Sequence, residues 1–353
     1  MHLLWLTENY PPNRGGMAQS CDRIVANLRR AGVHVHVLHF CSRSAALQRQ
    51  ICENGSYLPA TLHESLEHTL NLAWLHILQE VDSAAAPPYT HVVAFGGNIP
   101  ILAAPLWAKY LRLPLVVLLR GNDWDAALYS PQRRSALFYA LENAAHVAAV
   151  SSDKAEWLRR LFPNVPTSFT PNGIELQGWQ LLPSDQRRAQ RWRTEQAENR
   201  LVVGLFGQLK AKKGTLFFLQ TLARLSEAER ERLHLLVVGE LEETGVSDQL
   251  AACGVRHTLL PFLDRYELMG YYAACDAVAI PSFYDGMPNV LLEAGALGLP
   301  FIASAVAGMR DVLEDGKDAF LFAANDAQAL LQALRRLLYL ANSAPGLGAA
   351  IYR

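Results

Sequence analysis

The chain of 353 residues lacks the cysteine patterns that cross-link a small domain or bind zinc. Its five cysteines, Cys21, Cys41, Cys52, Cys253 and Cys275, are odd in number, and no two are spaced as C-x-x-C. Ordinary thiols in a reducing cytosol fit this count better than a disulfide framework or a zinc site. The sequence also has no H-E-x-x-H helix and no G-x-S-x-G turn, which excludes two common hydrolase designs.

The sequence has little net charge and no uninterrupted apolar segment long enough to span a membrane. The formal net charge is −1, so no overall basic field would attract nucleic acid, and no nucleic-acid partner is expected. The most apolar stretch, Val92–Leu119, is broken by three prolines, Lys109 and Arg112, whereas a membrane-spanning helix needs about 20 mostly apolar residues. Met1–Leu6 lacks the basic region that opens a signal peptide and is typical of a first strand. A cytoplasmic protein is expected.

The sequence does contain a repeated alternation of short apolar runs and longer amphipathic ones. The apolar runs predict strands at 2–6, 34–39, 91–95, 115–119, 146–150, 167–170, 201–206, 233–238, 255–260, 277–281 and 300–303. Helical periodicity predicts helices at 17–31, 101–111, 133–144, 153–161, 214–225, 265–274, 289–297 and 325–339. This alternation favours parallel sheets covered on both faces, the α/β class.

The length suggests two domains, at about 150 residues per domain. We expect a Rossmann-like βαβ lobe over 1–172 and a second over 173–353, facing each other across a cleft that is the default ligand site. The polar run at 182–200 contains five arginines and interrupts the rhythm. It predicts a partly helical linker with a solvated, charged surface.

The segment 281–294 is the one best suited to an anionic ligand. After a predicted strand, the turn Asp285-Gly286 leads to Pro288, which is well placed near the first turn of the next helix. Backbone amides of this turn would then cradle a phosphate. Glu293 follows inside an otherwise apolar helix, where an unpaired carboxylate is costly to bury. Ribose hydroxyls would satisfy it, as would a buried arginine or lysine.

Three other turns come directly after predicted strands. Gly15 and Gly16 would let the backbone approach a ligand, although a tight turn alone also explains them. The loop 207–214 has three lysines, which suggests an anion, but for Lys210 and Lys212 we prefer an exposed basic turn. The third turn contains Asp-Trp-Asp at 123–125. Two carboxylates so spaced can hold Mg²⁺ or Mn²⁺, but in a chain of two α/β lobes we expect no metal.

Taken together, these segments resemble glycosyltransferase family 4, whose members are retaining enzymes of the GT-B fold. The resemblance runs from the Pro-Pro-x-x-Gly-Gly loop at 11–16 to the predicted helix at 325–339. Its centre is an acid, seven residues and then Glu, here Asp285 through Glu293. Segments that look like the family's interlobe turn, nucleotide-facing strand end and diphosphate loop are 170–175, 237–240 and 207–214.

The resemblance implies roles in binding a nucleotide sugar. Glu293 would hold the ribose hydroxyls, Lys213 would neutralise the diphosphate, and Asp285 would hydrogen-bond the transferred sugar. The implied donor-binding set is Gly15, Gly16, Gln208, Lys213, Gly239, Gly286, Met287, Pro288, Asn289 and Glu293. The implied catalytic set is Asp285, Lys213 and Arg120, and the acceptor-side candidates are Arg14, Asn122 and Asp123.

The chain departs from the family pattern in four places. Asp285 stands where the first acid is usually Glu, Gln208 where the diphosphate loop usually has Arg, and Arg120 where a His commonly lies beside the reacting sugar. Arg120 or Arg14 would offset the charge lost at Gln208. The chain also ends at Arg353, before the long C-terminal helix of the family, so a fragment of a longer chain is one interpretation.

We therefore predict transfer of a sugar, with retention, from a UDP- or GDP-sugar to an acceptor hydroxyl in polysaccharide or glycoconjugate synthesis, with no metal or other cofactor. Two alternatives stay open. One is an epimerase-like enzyme of the same fold that acts on a UDP-sugar. The other is a donor-binding relative whose catalysis is weakened by the changes at Asp285, Gln208 and Arg120.

The segment Pro105–Arg112 mixes aromatic and basic residues, as helices at a membrane interface do. A helix packed on its own sheet has the same pattern, and we prefer that interpretation. A weak peripheral contact with the inner face of the membrane is the alternative. The sequence does not predict an oligomeric state.

Overall fold

Two compact units divide the chain in the computed structural model. Unit 1 comprises Met1–Gly173 and unit 2 comprises Ile174–Arg353. The structure describes residues 1–42, 48–84, 88–241 and 244–343, with only the backbone at 122 and 341–343. Each unit has its own sheet and its own apolar core.

Unit 1 alternates strands and helices along most of its length. Its strands are β1 (His2–Thr7), β2 (His34–Cys41), β3 (Gln50–Cys52), β4 (Gly55–Thr61), β5 (His91–Phe95), β6 (Leu115–Leu119), β7 (His146–Ala149) and β8 (Thr167–Phe169). Its helices are α1 (Gly16–Arg30), α2 (Leu66–Ser83), α3 (Ile99–Leu111), α4 (Asn122–Asp125), α5 (Pro131–Glu142) and α6 (Ser152–Leu161). The strands form one sheet in the order β3-β4-β2-β1-β5-β6-β7-β8, parallel except where β3 meets β4.

Both faces of the unit 1 sheet are buried, as the near-continuous apolar strands predict. Leu4 and Leu6 point into one cluster, and the alternate residues Leu3 and Trp5 of the same strand point into the other. Trp5 is 1% exposed and its ring stacks on that of Phe95 at 5.6 Å. Helices on both sides therefore fix the sheet and leave its carboxyl edge to the loops that follow the strands.

Unit 2 repeats the alternation with a smaller sheet. Its strands are β9 (Leu201–Phe206), β10 (Leu233–Val238), β11 (Arg256–Leu260), β12 (Ala277–Ile280), β13 (Phe301–Ser304) and β14 (Ala319–Phe322). Its helices are α7 (Pro183–Trp192), α8 (Thr215–Leu222), α9 (Glu227–Glu231), α10 (Val246–Ala252), α11 (Arg265–Ala273), α12 (Asn289–Ala296), α13 (Ala307–Val312) and α14 (Ala327–Ser343). The sheet order is β11-β10-β9-β12-β13-β14, with all paired strands parallel.

The predicted α/β class with parallel sheets is confirmed, and the strands predicted at 91–95, 115–119, 201–206 and 233–238 have the observed bounds. The sequence reasoning missed β4, although it is central to one half of the first sheet. Pro59 lies within β4, and a proline removes a backbone donor, which usually argues against a strand inside a sheet. The helices α2, α4, α9, α10 and α13 and the strands β3 and β14 were also not predicted.

The segment 182–200 is partly helical; one side of it packs on unit 2, and most of its charged side chains are exposed. It forms α7 and a single π-helical turn at Arg193–Ala197, and α7 lies against α11. The ring of Trp192 meets the His234 ring edge-on at 5.3 Å. Arg193 is held by Asp276, with Nη1 and Oδ2 3.0 Å apart. The segment therefore lies within unit 2, with Asp185 and Ala189 buried on one side of α7.

The segment Pro105–Arg112 forms the end of α3 and its C-cap, and it packs on unit 1 itself. Trp107 is 6% exposed and its ring stacks on that of Trp74 at 5.0 Å. Within the described part of the chain, no helix combines the length and the apolar character needed to cross a bilayer. The helix predicted at 325–339 extends as α14 to Ser343, and the last ten residues, 344–353, lie outside the described residues.

Candidate functional site

Lys213 and Asp285 form an ion pair in unit 2. Lys213 ends a short 3-10 turn after β9, and Asp285 lies in the loop after β12, which is next to β9 in the sheet. Because parallel neighbours end at the same edge, these two loops meet, and Lys213 Nζ donates to Asp285 Oδ2. The side chains are 27% and 13% exposed. The sequence reasoning gave these residues separate roles on one ligand, and the structure shows that they also contact each other.

Backbone contacts hold the same two loops together. The Phe283 amide donates to the Lys212 carbonyl at 2.9 Å. Gly214 has φ +67°, and a Cβ there would lie 2.1 Å from the Pro281 carbonyl oxygen, so only glycine allows this approach. Lys212 Nζ lies over the Tyr284 ring at 5.6 Å, which gives this partly exposed lysine a cation–π partner. The loop 207–214 is thus fixed against the loop after β12.

The turn Gly286–Asn289 precedes α12, as the sequence predicts. Pro288 is the last residue before the helix, and Asn289 is its first. The Gly286 amide, one of the predicted phosphate donors, bonds Asp285 Oδ1 at 3.0 Å. Its carbonyl accepts from the Gly308 amide at 2.7 Å, and Met287 is buried. The turn is therefore held at several points rather than being a free loop.

Glu293 lies in α12 and is 9% exposed. The sequence reasoning expected either ribose hydroxyls or a buried cation to satisfy this carboxylate. The structure provides a hydroxyl from the protein, since Tyr272 Oη donates to Glu293 Oε2 at 2.9 Å. Burial raises the pKa of Tyr272 well above 10, so the phenol keeps its proton and acts as a donor.

Two glycines allow the turns that follow β9 and β10 to lie in close contact with each other. Gly207 has φ +104° and Gly239 has φ +140°. A Cβ on Gly239 would lie 1.9 Å from the Gly207 carbonyl oxygen, so any side chain would separate the two turns. Gln208 follows directly and is partly exposed. Its predicted position on the diphosphate loop is consistent with this edge, and its contact with a ligand stays a prediction.

In unit 1, the glycine loop is anchored by a histidine that the sequence reasoning did not select. Gly15 caps α1 with φ +112°, Gly16 is its first residue, and Arg14 beside them is exposed. Asn13 Nδ2 lies 3.1 Å from the Glu8 carbonyl and 3.2 Å from His39 Nε2. His39 is fully buried on β2. Its contact with Asn13 joins residues 26 positions apart, so no local sequence motif indicated it.

His39 and His234 should make the protein less stable at mildly acidic pH. Burial lowers the pKa of each imidazole from 6.5 to about 4. Between these values the unfolded chain binds protons that the folded chain does not, so stability falls as the pH falls from about 6.5 to about 4. We expect a loss of about 1–2 kcal/mol per histidine at pH 5, measured by urea unfolding at pH 7 and pH 5.

A His39→Gln variant should show a smaller stability difference between the two pH values than the wild type. The matched control is His68→Gln, which changes an exposed histidine on α2. An unchanged pH difference in His39→Gln would contradict this assignment.

Arg120 is buried at the carboxyl end of β6 and contacts the last residues of unit 1. Its Nη1 donates to the Thr170 carbonyl at 2.8 Å and its Nη2 to Asn172 Oδ1 at 2.6 Å. Burial lowers its pKa to about 10, so it stays charged at neutral pH. In this structure Arg120 ties β6 to the chain that follows β8. Its predicted contact with a reacting sugar stays a prediction.

Asp123 and Asp125 each have partners within unit 1. Asp123 is buried and accepts the amides of Arg120 and Gly121 at 2.7 and 2.6 Å, while burial raises the pKa of its carboxyl. Asp125 Oδ2 lies 3.3 Å from Nζ of the buried Lys154. Both carboxylates are thus used within the fold, and Asp123 is a poor candidate for direct acceptor contact. The side chain of Asn122, another acceptor-side candidate, lies outside the described residues.

Tyr272 is the main residue that sequence reasoning missed. It lies in the predicted helix at 265–274, which the structure shows as α11. A tyrosine that is fully buried needs a hydrogen-bond partner for its hydroxyl. The acid in an apolar helix, Glu293, was the matching signal, and only the tertiary structure, in which a side-chain hydrogen bond joins α11 to α12, connects the two.

Two family models match the chain. The model described as Glycosyl transferase 4-like domain matches residues 15–173, and the model described as Glycosyl transferases group 1 matches residues 200–339. The D-inositol 3-phosphate glycosyltransferase of Stackebrandtia nassauensis is 30% identical over 201 residues, which cover 53% of this chain and 45% of that protein. The match therefore spans about half the length of the curated relative.

Solved structures share the fold. Sucrose-phosphate synthase from Thermosynechococcus elongatus superposes with a TM-score of 0.80 at 19% identity, covering 99% of this chain and 93% of that one. Anabaena Alr3699/HepE in complex with UDP-glucose gives a TM-score of 0.77 at 19% identity, with the same coverage of 99% and 93%. The fold is GT-B, and the two family models together account for most of the sequence. The chain belongs to glycosyltransferase family 4, the group 1 glycosyl transferases.

Proposed function

We propose that the chain is a retaining, metal-independent glycosyltransferase that moves a sugar from a UDP- or GDP-sugar to an acceptor hydroxyl in polysaccharide or glycoconjugate synthesis. One arrangement in unit 2 supports this proposal. The loop after β12 brings Asp285 to Lys213 and leads into α12, which holds the buried Glu293. The family and the UDP-glucose complex of Anabaena HepE are consistent with a nucleotide sugar as donor.

Lys213 is the cation that suits a diphosphate leaving group. Negative charge grows on the leaving phosphate as the glycosidic bond breaks, and a fixed cation stabilises that charge without reorganisation. Asp285 and the backbone contacts of the loop hold the lysine before any ligand arrives. The preorganised ammonium therefore lowers the barrier more than a mobile surface lysine would.

Asp285 is better suited to accept a hydrogen bond than to attack carbon. Its carboxylate already accepts from Lys213 Nζ and from the Gly286 amide, and both contacts lower its nucleophilicity. In the proposed step, the bond between the anomeric carbon and the leaving phosphate breaks, and the acceptor oxygen bonds that carbon on the same face. Because the new bond forms on the face that the phosphate leaves, configuration is retained. The leaving phosphate oxygen takes the acceptor proton, so charge balances.

The acceptor-side candidates lie in unit 1. The exposed Arg14 beside the glycine loop is the remaining charged candidate in unit 1, since Asp123 is used within the fold. The curated relative is a D-inositol 3-phosphate glycosyltransferase, which makes a phosphorylated polyol a useful first acceptor. We propose to test it together with simple sugars and lipid-linked sugars.

A thermal-shift screen with UDP-, GDP- and ADP-glucose tests donor binding. A ligand that binds only the folded state at 100 times its Kd adds about 2.7 kcal/mol of stability, so one nucleotide sugar should raise Tm by several degrees. The bound donor is then incubated with each acceptor, with and without EDTA, and the anomeric coupling of the product is read by NMR. We expect the donor's configuration in the product and the same rate with EDTA.

Each other outcome has a definite meaning. A product of inverted configuration would contradict retention, and a rate abolished by EDTA would contradict metal independence. Conversion of the donor to an isomeric nucleotide sugar without acceptor would identify an epimerase. Tight donor binding with no transfer to any acceptor would instead identify a catalytically weakened relative.

A further inference from the structure

The hydroxyl of Tyr272 is aimed at the carboxylate of Glu293 from inside unit 2. Tyr272 is completely buried on α11, and its Oη lies 2.9 Å from Glu293 Oε2. Glu293 is 9% exposed on α12. The contact therefore crosses between two helices, and it is formed from the core side of the carboxylate.

Aromatic packing fixes the ring that presents this hydroxyl. The centroid of the Phe206 ring, at the end of β9, lies 4.2 Å from that of Tyr272. Trp179 meets the Tyr272 ring edge-on at 6.2 Å. Arg265 lies over the Trp179 ring at 5.7 Å and completes the stack. With two aromatic rings in contact with it, the phenol ring has little freedom, and its oxygen is held in a fixed position relative to the carboxylate.

We infer that Tyr272 is a positioning residue that holds the carboxylate of Glu293 in the orientation that receives the ribose hydroxyls of the donor. This inference rests on the proposed function. A glutamate side chain has three rotatable bonds, and holding it in one conformation before binding removes an entropy cost from the complex. A carboxylate accepts up to about four hydrogen bonds, so one bond from Tyr272 is compatible with bonds from a ribose.

The competing explanation is that Glu293 merely satisfies a buried phenol. Both explanations predict some loss of stability in Tyr272→Phe. The two explanations differ in the expected effect on nucleotide affinity. Only a positioning role predicts that Tyr272→Phe weakens binding of a nucleotide with ribose hydroxyls more than binding of one without them.

The test compares two nucleotides on four proteins. Binding of UDP and of 2′,3′-dideoxy-UDP, and of the GDP pair in parallel, is measured by titration calorimetry on the wild type, Tyr272→Phe, Glu293→Ala and the double variant. Tyr272→Phe should weaken the ribonucleotide by about tenfold and leave the dideoxy nucleotide within about twofold. In the Glu293→Ala background, Tyr272→Phe should have no further effect on the ribonucleotide.

The matched control is Tyr271→Phe, which removes the hydroxyl of the adjacent tyrosine, whose ring packs on Trp192. It should leave both affinities unchanged. The dideoxy nucleotide also reports folding, because an unfolded Tyr272→Phe protein would bind neither ligand. If Tyr272→Phe does not fold, Tyr272→His takes its place, because histidine keeps a hydrogen-bond donor on a ring. Tyr272→His should bind the ribonucleotide more tightly than the dideoxy nucleotide. Equal affinity for the two would overturn the inference.

The outcomes separate the inference from the proposed function. Equal weakening of both nucleotides by Tyr272→Phe, or no weakening of either, would overturn the positioning role while leaving the donor site intact. A wild type that binds the ribonucleotide and its dideoxy form equally would remove the ribose contact of Glu293, and the inference with it. A wild type that binds no nucleotide would overturn the proposed function itself.

Discussion

Replacing Lys213 with alanine should lower kcat/KM for sugar transfer by about 10- to 150-fold. The variant loses a charge-assisted hydrogen bond of about 1.5–3 kcal/mol to the leaving diphosphate. It also leaves the 13% exposed Asp285 without its cation, which places an unpaired carboxylate where the donor phosphates would bind. Initial rates with the donor found in the binding screen give the measurement, and donor affinity separates weaker binding from slower transfer.

The adjacent lysine provides the control. Lys212 lies on the same 3-10 turn, but its ammonium lies over the Tyr284 ring and not against Asp285. Lys212→Ala should therefore change kcat/KM by less than about threefold, in keeping with a partly exposed cation–π contact. If both variants lost the same activity, general loss of positive charge would explain the result, and the specific role of Lys213 would be wrong.

Introducing a single methyl group at Gly308 should disrupt the turn that holds the donor site. A Cβ there would lie 2.0 Å from the Gly286 carbonyl oxygen and 2.9 Å from the Met287 Cα, and both are backbone atoms that side-chain rotation cannot relieve. The Gly308 amide would also lose its 2.7 Å bond to that carbonyl. Overpacking of this kind costs about 1–3 kcal/mol, and a shift of about 1 Å in the turn lowers kcat/KM by roughly 10²-fold.

Gly295→Ala is the matched control for Gly308→Ala. Gly295 lies within α12, and the nearest atom to an added Cβ is the Phe301 Cζ at 3.9 Å, an ordinary contact. Alanine is favoured over glycine inside a helix by about 1 kcal/mol, so Tm should rise or stay constant and activity should persist. Full activity in Gly308→Ala would mean that the turn relaxes freely, and the rigid-turn description would then fail.

Much of the fold could be predicted from local sequence patterns. The runs at 201–206 and 233–238 are apolar throughout because both faces of a parallel strand are buried, so no alternation is needed to identify them. The turn at Asp285 and Pro288 was accessible for a similar reason, since proline and glycine restrict backbone conformation locally. By contrast, β4 was missed because Pro59 gives a local signal against a strand, and pairing with β2 outweighs it.

The sequence by itself determined which residue types follow the strands, namely the glycines, Lys213 and Asp285, and that Glu293 lies in an apolar helix. It could do so because loop chemistry and helix starts depend on near neighbours along the chain. Only the tertiary structure decided which side chains meet. Lys213 and Asp285 are 72 residues apart and pair because β9 and β12 are adjacent in a parallel sheet. Tyr272 and Glu293 are 21 residues apart and meet because the fold brings these two positions of α11 and α12 within hydrogen-bond distance. Such contacts depend on topology, and no local pattern encodes them.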